Sequence, residues 1–396
     1  MAAEHSNGYL GEALPIEPLP TAGERFWIDR PEELVRVGER LRGAKVLAID
    51  AEFITVNRRE PDEPSHRLAL LQLAMPGSCF VIDAWRLVDL TPLQSAFADR
   101  TILKLFHGMG ADTRVLADRQ LFAKHTLDLE AVSRSIFGQR ESGLAAMLGR
   151  AFGIRLDKSL QRSDWTRRPL PPAMIAYAAR DAEATLALYE WLRRHYPWAV
   201  ALYEDGLEAV EWEAIALWLQ PFVRGERAQT VAEAVLDAGL SSDQEALTRD
   251  CRAALRALRY PNLRNRVLRV VADLGLVGLM PEVCEMLTAP AAEERAAAAR
   301  TLGKLRIAGA ADLIRPLLSD PVADVRQAAQ RALEWLNTPG SDRVSFAGHY
   351  RVASGHWVVR ADTQDEPDVD TDDWRSALRT LLSASEPEEG HVSGEE

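Results

Sequence analysis

Partway along the chain the apolar residues change their rhythm, and that change limits the architecture more than any single motif does. Up to about residue 200, short apolar runs of strand length alternate with helical patterns; from about 230 to 336 the runs disappear and Ala, Leu and Arg recur at helical spacing. The first pattern predicts an α/β domain and the second an all-α array. Within the array, segments 265–287, 294–318 and 324–336 each open on a polar, Arg-bearing helix. Two of them share a Leu-Gly step, Leu274-Gly275 and Leu302-Gly303, at a period of roughly 30 residues. Helix pairs of this size cannot bury their inner faces alone, so they must stack. A chain of 396 residues accommodates both parts.

The expected order of elements follows from punctuation. Residues 1–23 are rich in Gly, Pro, Ala and Glu without periodicity and read as a flexible lead-in. Residues 25–28 suit a strand, and Asp29 is placed to cap a helix beginning at Pro31, with Leu34, Val37 and Leu41 inward. Runs 45–53, 68–74 and 79–83 form a three-strand meander. Run 102–106 leads through His107-Gly108-Met109-Gly110 into a helix from Asp112. Helices are expected at 127–137, 142–153 and 171–195, a hairpin at 343–361 and a last helix at 374–382. The domains read as 24–215 (α/β), 216–338 (helical repeats) and 339–396 (an extension with an acidic tail).

Charge alone argues against a nucleic-acid ligand, because the net value is −12. Its distribution removes the objection: residues 1–200 hold 26 basic and 26 acidic side chains, while 201–250 hold 3 and 11 and 351–396 hold 4 and 12. The three cysteines, Cys79, Cys251 and Cys284, lack CxxC spacing, which excludes a disulfide scaffold and suits a reducing, cytoplasmic setting. No apolar run approaches the roughly 20 residues that cross a bilayer, and the N-terminus lacks a signal-like apolar region.

Chemistry enters at Asp50-Ala51-Glu52, at the end of the apolar run Val46 to Ile49. Residues two apart on a strand face the same way, so both carboxylates point at one place and call for a divalent cation, or else end the strand in solvent. Asp112 follows a glycine turn after a strand, where α/β sheets hold ligands, and would equally serve as an N-terminal helix acid. On the long helix, Tyr177 and Asp181 share a face at i, i+4. Asp83 ends a strand without an acidic partner at i+2 and reads as structural. His107 is either a packing residue or a substrate contact. The loop bearing Lys158, Gln161, Arg162, Ser163, Trp165, Arg167 and Arg168 mixes cations with an aromatic ring, as phosphate contact and base stacking require, or is simply a packed loop.

In sequence order these segments are Leu47 to Phe53, Lys104 to Gly108 with Asp112, and Asp157 to Trp165 ahead of Tyr177 and Asp181. Together they closely resemble the three motifs of the ribonuclease D family of DEDD 3′–5′ exonucleases, in its tyrosine branch, over about residues 25–215. The histidine branch would place His where this chain has Ala176. The resemblance implies an RNase H-like fold and phosphodiester hydrolysis with two divalent cations, Mg²⁺ or Mn²⁺. Asp50 would bridge both ions, Glu52 and Asp181 would complete the water-activating site, Asp112 would hold the second ion through its water shell, and Tyr177 would orient the attacking water. Four acids crowded without metal should have raised pKa values. The expected partner is single-stranded nucleic acid with a free 3′ end, RNA by resemblance.

The second half departs from that family, whose members continue into compact helical domains. Here the repeats resemble short HEAT repeats, most clearly at Asp324-Val325-Arg326 followed by Ala328-Ala329 and Ala332-Leu333. Their arginines (Arg264, Arg266, Arg269, Arg295, Arg300) suit nucleic acid, a protein partner, or hydrogen bonds within the repeats. An exodeoxyribonuclease, or an adaptor built on a vestigial nuclease fold, are the alternatives to an exoribonuclease.

Overall fold

Six segments whose side chains alternate between two environments, or are apolar throughout, pair into one mixed sheet. They are β1 (Glu24–Ile28), β2 (Val46–Thr55), β3 (His66–Met75), β4 (Ser78–Ile82), β5 (Leu103–Phe106) and β6 (Thr126–Asp128), in the order β1-β4-β3-β2-β5-β6. The expected meander β2-β3-β4 is antiparallel, while β1 joins β4, and β5 and β6 join β2, in parallel. The computed structural model describes residues 14–20, 23–55, 66–155, 160, 163–204, 210–226, 229–307 and 309–338, and the backbone of 350–353 and 356–359. The expected helix at 374–382 lies outside the described residues. The chain divides into two compact units, Met1–Val210 and Glu211–Glu396.

One face of the sheet is closed by α1 (Pro31–Leu41), α2 (Gln94–Ala98) and α3 (Asp112–Ala117). Leu34, Val37, Leu41, Phe97 and Leu116 pack there on Leu47, Ile49, Leu71 and Leu73. Each such side chain, fully buried, contributes about 1.5–3 kcal/mol. After α4 (Leu129–Phe137) and α5 (Leu144–Phe152), the 24-residue α6 (Pro172–His195) crosses the other face over β2, β3 and β4, and α7 (Pro197–Glu204) follows. Proline at its first position and a basic last turn fix the ends of α6. Its small residues Ala178, Ala179 and Ala182 let it lie close to the sheet, and the Cys79 thiol donates to the Ala179 carbonyl at 3.6 Å.

Four local expectations change. Asp29 makes no cap: Arg30 occupies the position before α1 without a side-chain hydrogen bond, and Asp29 lies 3.6 Å from Arg86 instead. The lead-in is tied down at Glu17, whose amide donates to the Ala151 carbonyl at 2.9 Å and whose carboxylate accepts from Arg194 at 2.8 Å. Residues 127–128 belong to β6, and Asp128 caps α4 by accepting from the Glu130 amide. Lastly, β2 runs on to Thr55 because β3 pairs with it that far, so Asp50 and Glu52 sit within a strand rather than at its end.

The second unit is helical over most of its described length. It comprises α8 (Gln220–Arg224), α9 (Val231–Asp237), α10 (Gln244–Ala257), α11 (Pro261–Leu274), α12 (Met280–Glu285), α13 (Ala292–Leu305), α14 (Ala310–Ile314) and α15 (Ala323–Asn337). A short antiparallel pair, β7 (Tyr350–Ala353) and β8 (His356–Val359), falls within the expected hairpin. The long helices α11, α13 and α15 pack side by side. The shared Leu-Gly step does two different jobs. Gly275 ends α11 in a left-handed conformation at φ 68°, whereas Gly303 lies inside α13, where a Cβ would come within 2.6 Å of the Ala332 Cα on α15. Among the described residues, no helix is long and apolar enough to cross a membrane.

Candidate active site

The pleat of β2 turns Asp50 and Glu52 to the face covered by α6, and a register shift between Glu52 and Phe53 ends the regular ladder just beyond them. From above, α6 contributes Asp181. One oxygen from each of Asp50, Glu52 and Asp181 can be chosen so that all three lie within 4.8 Å of one another, and all three residues are half-buried. Residues remote in sequence thus converge on one point from a strand and a crossing helix.

Asp112 reaches the same neighbourhood by another route. Gly108, at φ 84°, turns the chain out of β5; a Cβ there would stand 3.0 Å from a Glu130 carboxylate oxygen. Its amide donates to Asp128 Oδ1 at 2.8 Å. That turn sets Asp112 in the first turn of α3, 8% exposed. It stands outside the three-carboxylate group but within electrostatic reach of Asp50. Tyr177 is one turn before Asp181 on α6, and the nearness of its hydroxyl opposes the effect of burial on that carboxylate.

The electrostatics are those of acids held together without a counterion. Burial, then Asp112 and Asp181, raise Asp50 well above the usual carboxylate range. Burial followed by Asp50, Asp181 and Asp112 pushes Glu52 up to about 9. Burial and then Asp128 raise Asp112 to about 7, and burial raises Asp181 to about 6. The Tyr177 phenol is also raised, first by burial and then by Asp181, so it keeps its proton. Hard oxygen donors, repulsion that a cation would relieve, and a buried Asp181 Oδ1 with no partner among the described residues fit a divalent metal. The acidic triad is thus positioned as a divalent-metal site.

In the described part of the loop before α6, Arg168 and Trp165 follow the packed-loop alternative. Arg168 is not available to phosphate: its Nε donates to Asp83 Oδ2 at 2.7 Å and its Nη1 to the Trp165 and Arg167 carbonyls at 2.8 Å. Asp83 is fully buried, and this pairing gives it the structural part expected of it. Trp165 is 2% exposed, with its ring 6.1 Å from that of Tyr177, so it packs behind the tyrosine instead of offering a face to a base. Lys158 and Arg162 lie outside the described residues. His107 is half-buried, its Nε2 has no partner among the described residues, and burial lowers its pKa against the opposing Asp128.

Two residues escaped the sequence reading. Asp128 holds the Gly108 turn and raises Asp112. Gln72, the register partner of Asp50 on β3, is fully buried, and neither of its amide atoms has a partner among the described residues. Its signal was a lone polar residue inside the run Leu68 to Ala74.

Comparison with known proteins agrees with this geometry. A family model described as 3′–5′ exonuclease matches residues 26–196, and one described as HEAT repeats matches 280–362. Ribonuclease D of Acidiphilium cryptum is 29% identical over 286 residues, covering 69% of this chain and 68% of that protein. Ribonuclease D of Haemophilus influenzae is 27% identical over 43% of each chain. Exosome complex component 10 of Mus musculus is 30% identical over 41% of this chain and 18% of its own. The chain thus spans less than half of the latter two relatives. Among solved structures, Trypanosoma brucei RNase D in complex with RNA U12 shares 25% identity over 46% of this chain and 67% of its own, with a TM-score of 0.40. Escherichia coli RNase D shares 20% over 80% and 76%, with a TM-score of 0.41. The chain carries a DEDD-type, ribonuclease D-like 3′–5′ exonuclease domain followed by HEAT-like helical repeats.

Proposed function

We propose that the chain is a metal-dependent 3′–5′ exonuclease that removes nucleoside monophosphates from single-stranded 3′ ends, with RNA as substrate. The observation that carries this reading is the meeting of Asp50, Glu52 and Asp181 within 4.8 Å on the α6 face of the sheet. The choice of RNA follows the relatives named ribonuclease D. Free, buried cysteines are in keeping with a cytoplasmic setting. The nuclease is taken as residues 24–215 and the repeats as 216–338.

In this reading Asp50, Glu52 and Asp181 hold Mg²⁺ or Mn²⁺, with Asp112 at the edge acting through water. When bound, two such ions stabilise the attacking and leaving oxygens and lower the pKa of water. Asp50 lies within electrostatic reach of both Asp112 and Asp181, so it would hold metal together with either of them. Tyr177, its phenol protonated, orients the attacking water by a hydrogen bond and keeps the Asp181 carboxylate in place. Trp165 supports the tyrosine ring from behind. His107, on the turn that leads to Asp112, is a candidate substrate contact in its neutral form.

The test uses 5′-labelled RNA and DNA oligonucleotides of one sequence with Mg²⁺, Mn²⁺ or EDTA, comparing the native chain with Asp50→Asn. A ladder shortening from the 3′ end, dependent on metal and lost in the variant, is expected, with RNA the faster substrate. Equal degradation by both proteins would remove the assigned centre, and faster loss of DNA would make the enzyme an exodeoxyribonuclease.

A further inference from the structure

The neighbouring helices α11, α13 and α15 each carry an arginine at the same two positions. The first set is Arg264, Arg295 and Arg326, and the second is Arg269, Arg300 and Arg331; both recur every 31 residues. Their fates differ completely. Arg264 donates to Glu294 Oε1 at 2.7 Å. Arg295 donates to both Asp320 oxygens and to the Ala289 and Pro290 carbonyls, and Arg326 to the Asp320 and Pro321 carbonyls. That set ties each helix to the turns around it.

The second set sits five residues further along each helix, which turns it about 140° away from the first. Among the described residues, no hydrogen bond or ion pair holds Arg269, Arg300 or Arg331. Arg269 and Arg331 are exposed, and Arg300, between them, is half-buried. All three stand close enough to interact: the Arg300 pKa is lowered by burial, then by Arg269, with Asp324 and Glu293 opposing and Arg331 adding to the effect. Because α11 packs on α13 and α13 on α15, with helix axes typically about 8–10 Å apart, the three arginines lie on successive neighbouring helices. A row of like charges on rigid neighbouring helices is unfavourable in the free protein, and a line of phosphates would relieve it. Planar guanidinium forks also match phosphate oxygens in pairs.

We propose that Arg269, Arg300 and Arg331 form a phosphate-binding ladder on the repeat unit that grips single-stranded RNA. The nature of the polyanion rests on the exonuclease reading, whereas the ladder itself does not. Two half-buried arginines of the repeats are already engaged, Arg266 donating to the Val223 carbonyl at 2.6 Å and Arg252 to the Gly278 carbonyl at 2.6 Å, and the exposed Arg256 and Arg259 fall outside the 31-residue register.

The experiment measures binding of a labelled oligouridylate to the full chain in EDTA, so that no cleavage intrudes, across a range of salt concentrations. The native protein is compared with the triple variant Arg269→Gln, Arg300→Gln, Arg331→Gln. Loss of three phosphate contacts should make the slope of log affinity against log salt shallower by about 2, and should weaken binding at low salt about tenfold or more. If the triple variant does not fold, the pair Arg269→Gln, Arg331→Gln, both exposed, should flatten the slope by about 1. An unchanged slope and affinity, or no binding by the native chain at low salt, overturns the proposal. Displacement of the RNA by polyglutamate as readily as by polyuridylate overturns it too, in favour of an acidic protein partner. Metal-dependent cleavage by the native protein is scored separately, so a failed ladder and a failed nuclease reading cannot be confused.

Discussion

Adding Mn²⁺ to the metal-free protein at neutral pH should expel about one proton or more per chain. Glu52, pushed up to about 9, holds a proton there, and Asp50 is raised well above the usual carboxylate range. Asp181, at about 6, is mostly ionised, and Asp112, at about 7, is divided between its two forms. Ligation needs ionised oxygen, so Glu52 gives up one proton, Asp112 contributes a fraction, and the raised Asp50 adds to the release. The sign follows directly: metal affinity rises with pH, by about tenfold per unit for each proton still to be lost, and the Glu52 share levels off above about 9. Metal-free stability runs the other way. A carboxyl whose folded pKa is raised stabilises the fold below its unfolded value near 4, and that contribution is lost as pH climbs through the folded value. Calorimetric titration in two buffers of different ionisation enthalpy counts the protons. Release of less than about half a proton would refute the crowded-acid account.

Three further outcomes are expected. Asp83→Ala strands Arg168 without its carboxylate in a buried position and should cost about 3–5 kcal/mol in urea unfolding; a loss under about 1 kcal/mol would show the pair to be incidental. Tyr177→Phe should lower kcat about 10- to 100-fold while leaving Mn²⁺ affinity near the native value, and single-turnover kinetics alongside metal titration separate the two. Gly303→Val forces α13 away from Ala332 and should lower stability by about 1–3 kcal/mol, read as a fall in the calorimetric midpoint.

The centre was legible because its information is local. D-x-E on a strand and Y-x-x-x-D on a helix place side chains by backbone period alone, whatever the rest of the chain does. The sheet core was legible for the same reason: the runs that form β2, β3 and β4 are apolar but for a few polar positions, among them Asp50, Glu52 and Gln72. What stayed hidden depends on contacts remote in sequence. Asp83 finds Arg168 across 85 residues, and nothing in either neighbourhood announces the other. Trp165 looked like a stacking platform because composition does not reveal burial. Asp29 had the chemistry of a cap, but Arg86 competed for its carboxylate. The expected end of β2 at the acids failed because a strand's length is set by its partner, here β3, which pairs as far as Thr55.

The two arginine registers separate what the repeat array must keep from what it can vary. Members of the inner register hold the fold, so each copy of the unit must retain one. The outward register makes no hydrogen bond or ion pair among the described residues, and its two exposed members are free to drift with whatever lies against them. Duplication of one 31-residue segment would therefore add a rung, lengthening the charged edge without redesign of the nuclease. The array behaves as a ruler whose span is set by gene length and whose markings can be rewritten one side chain at a time.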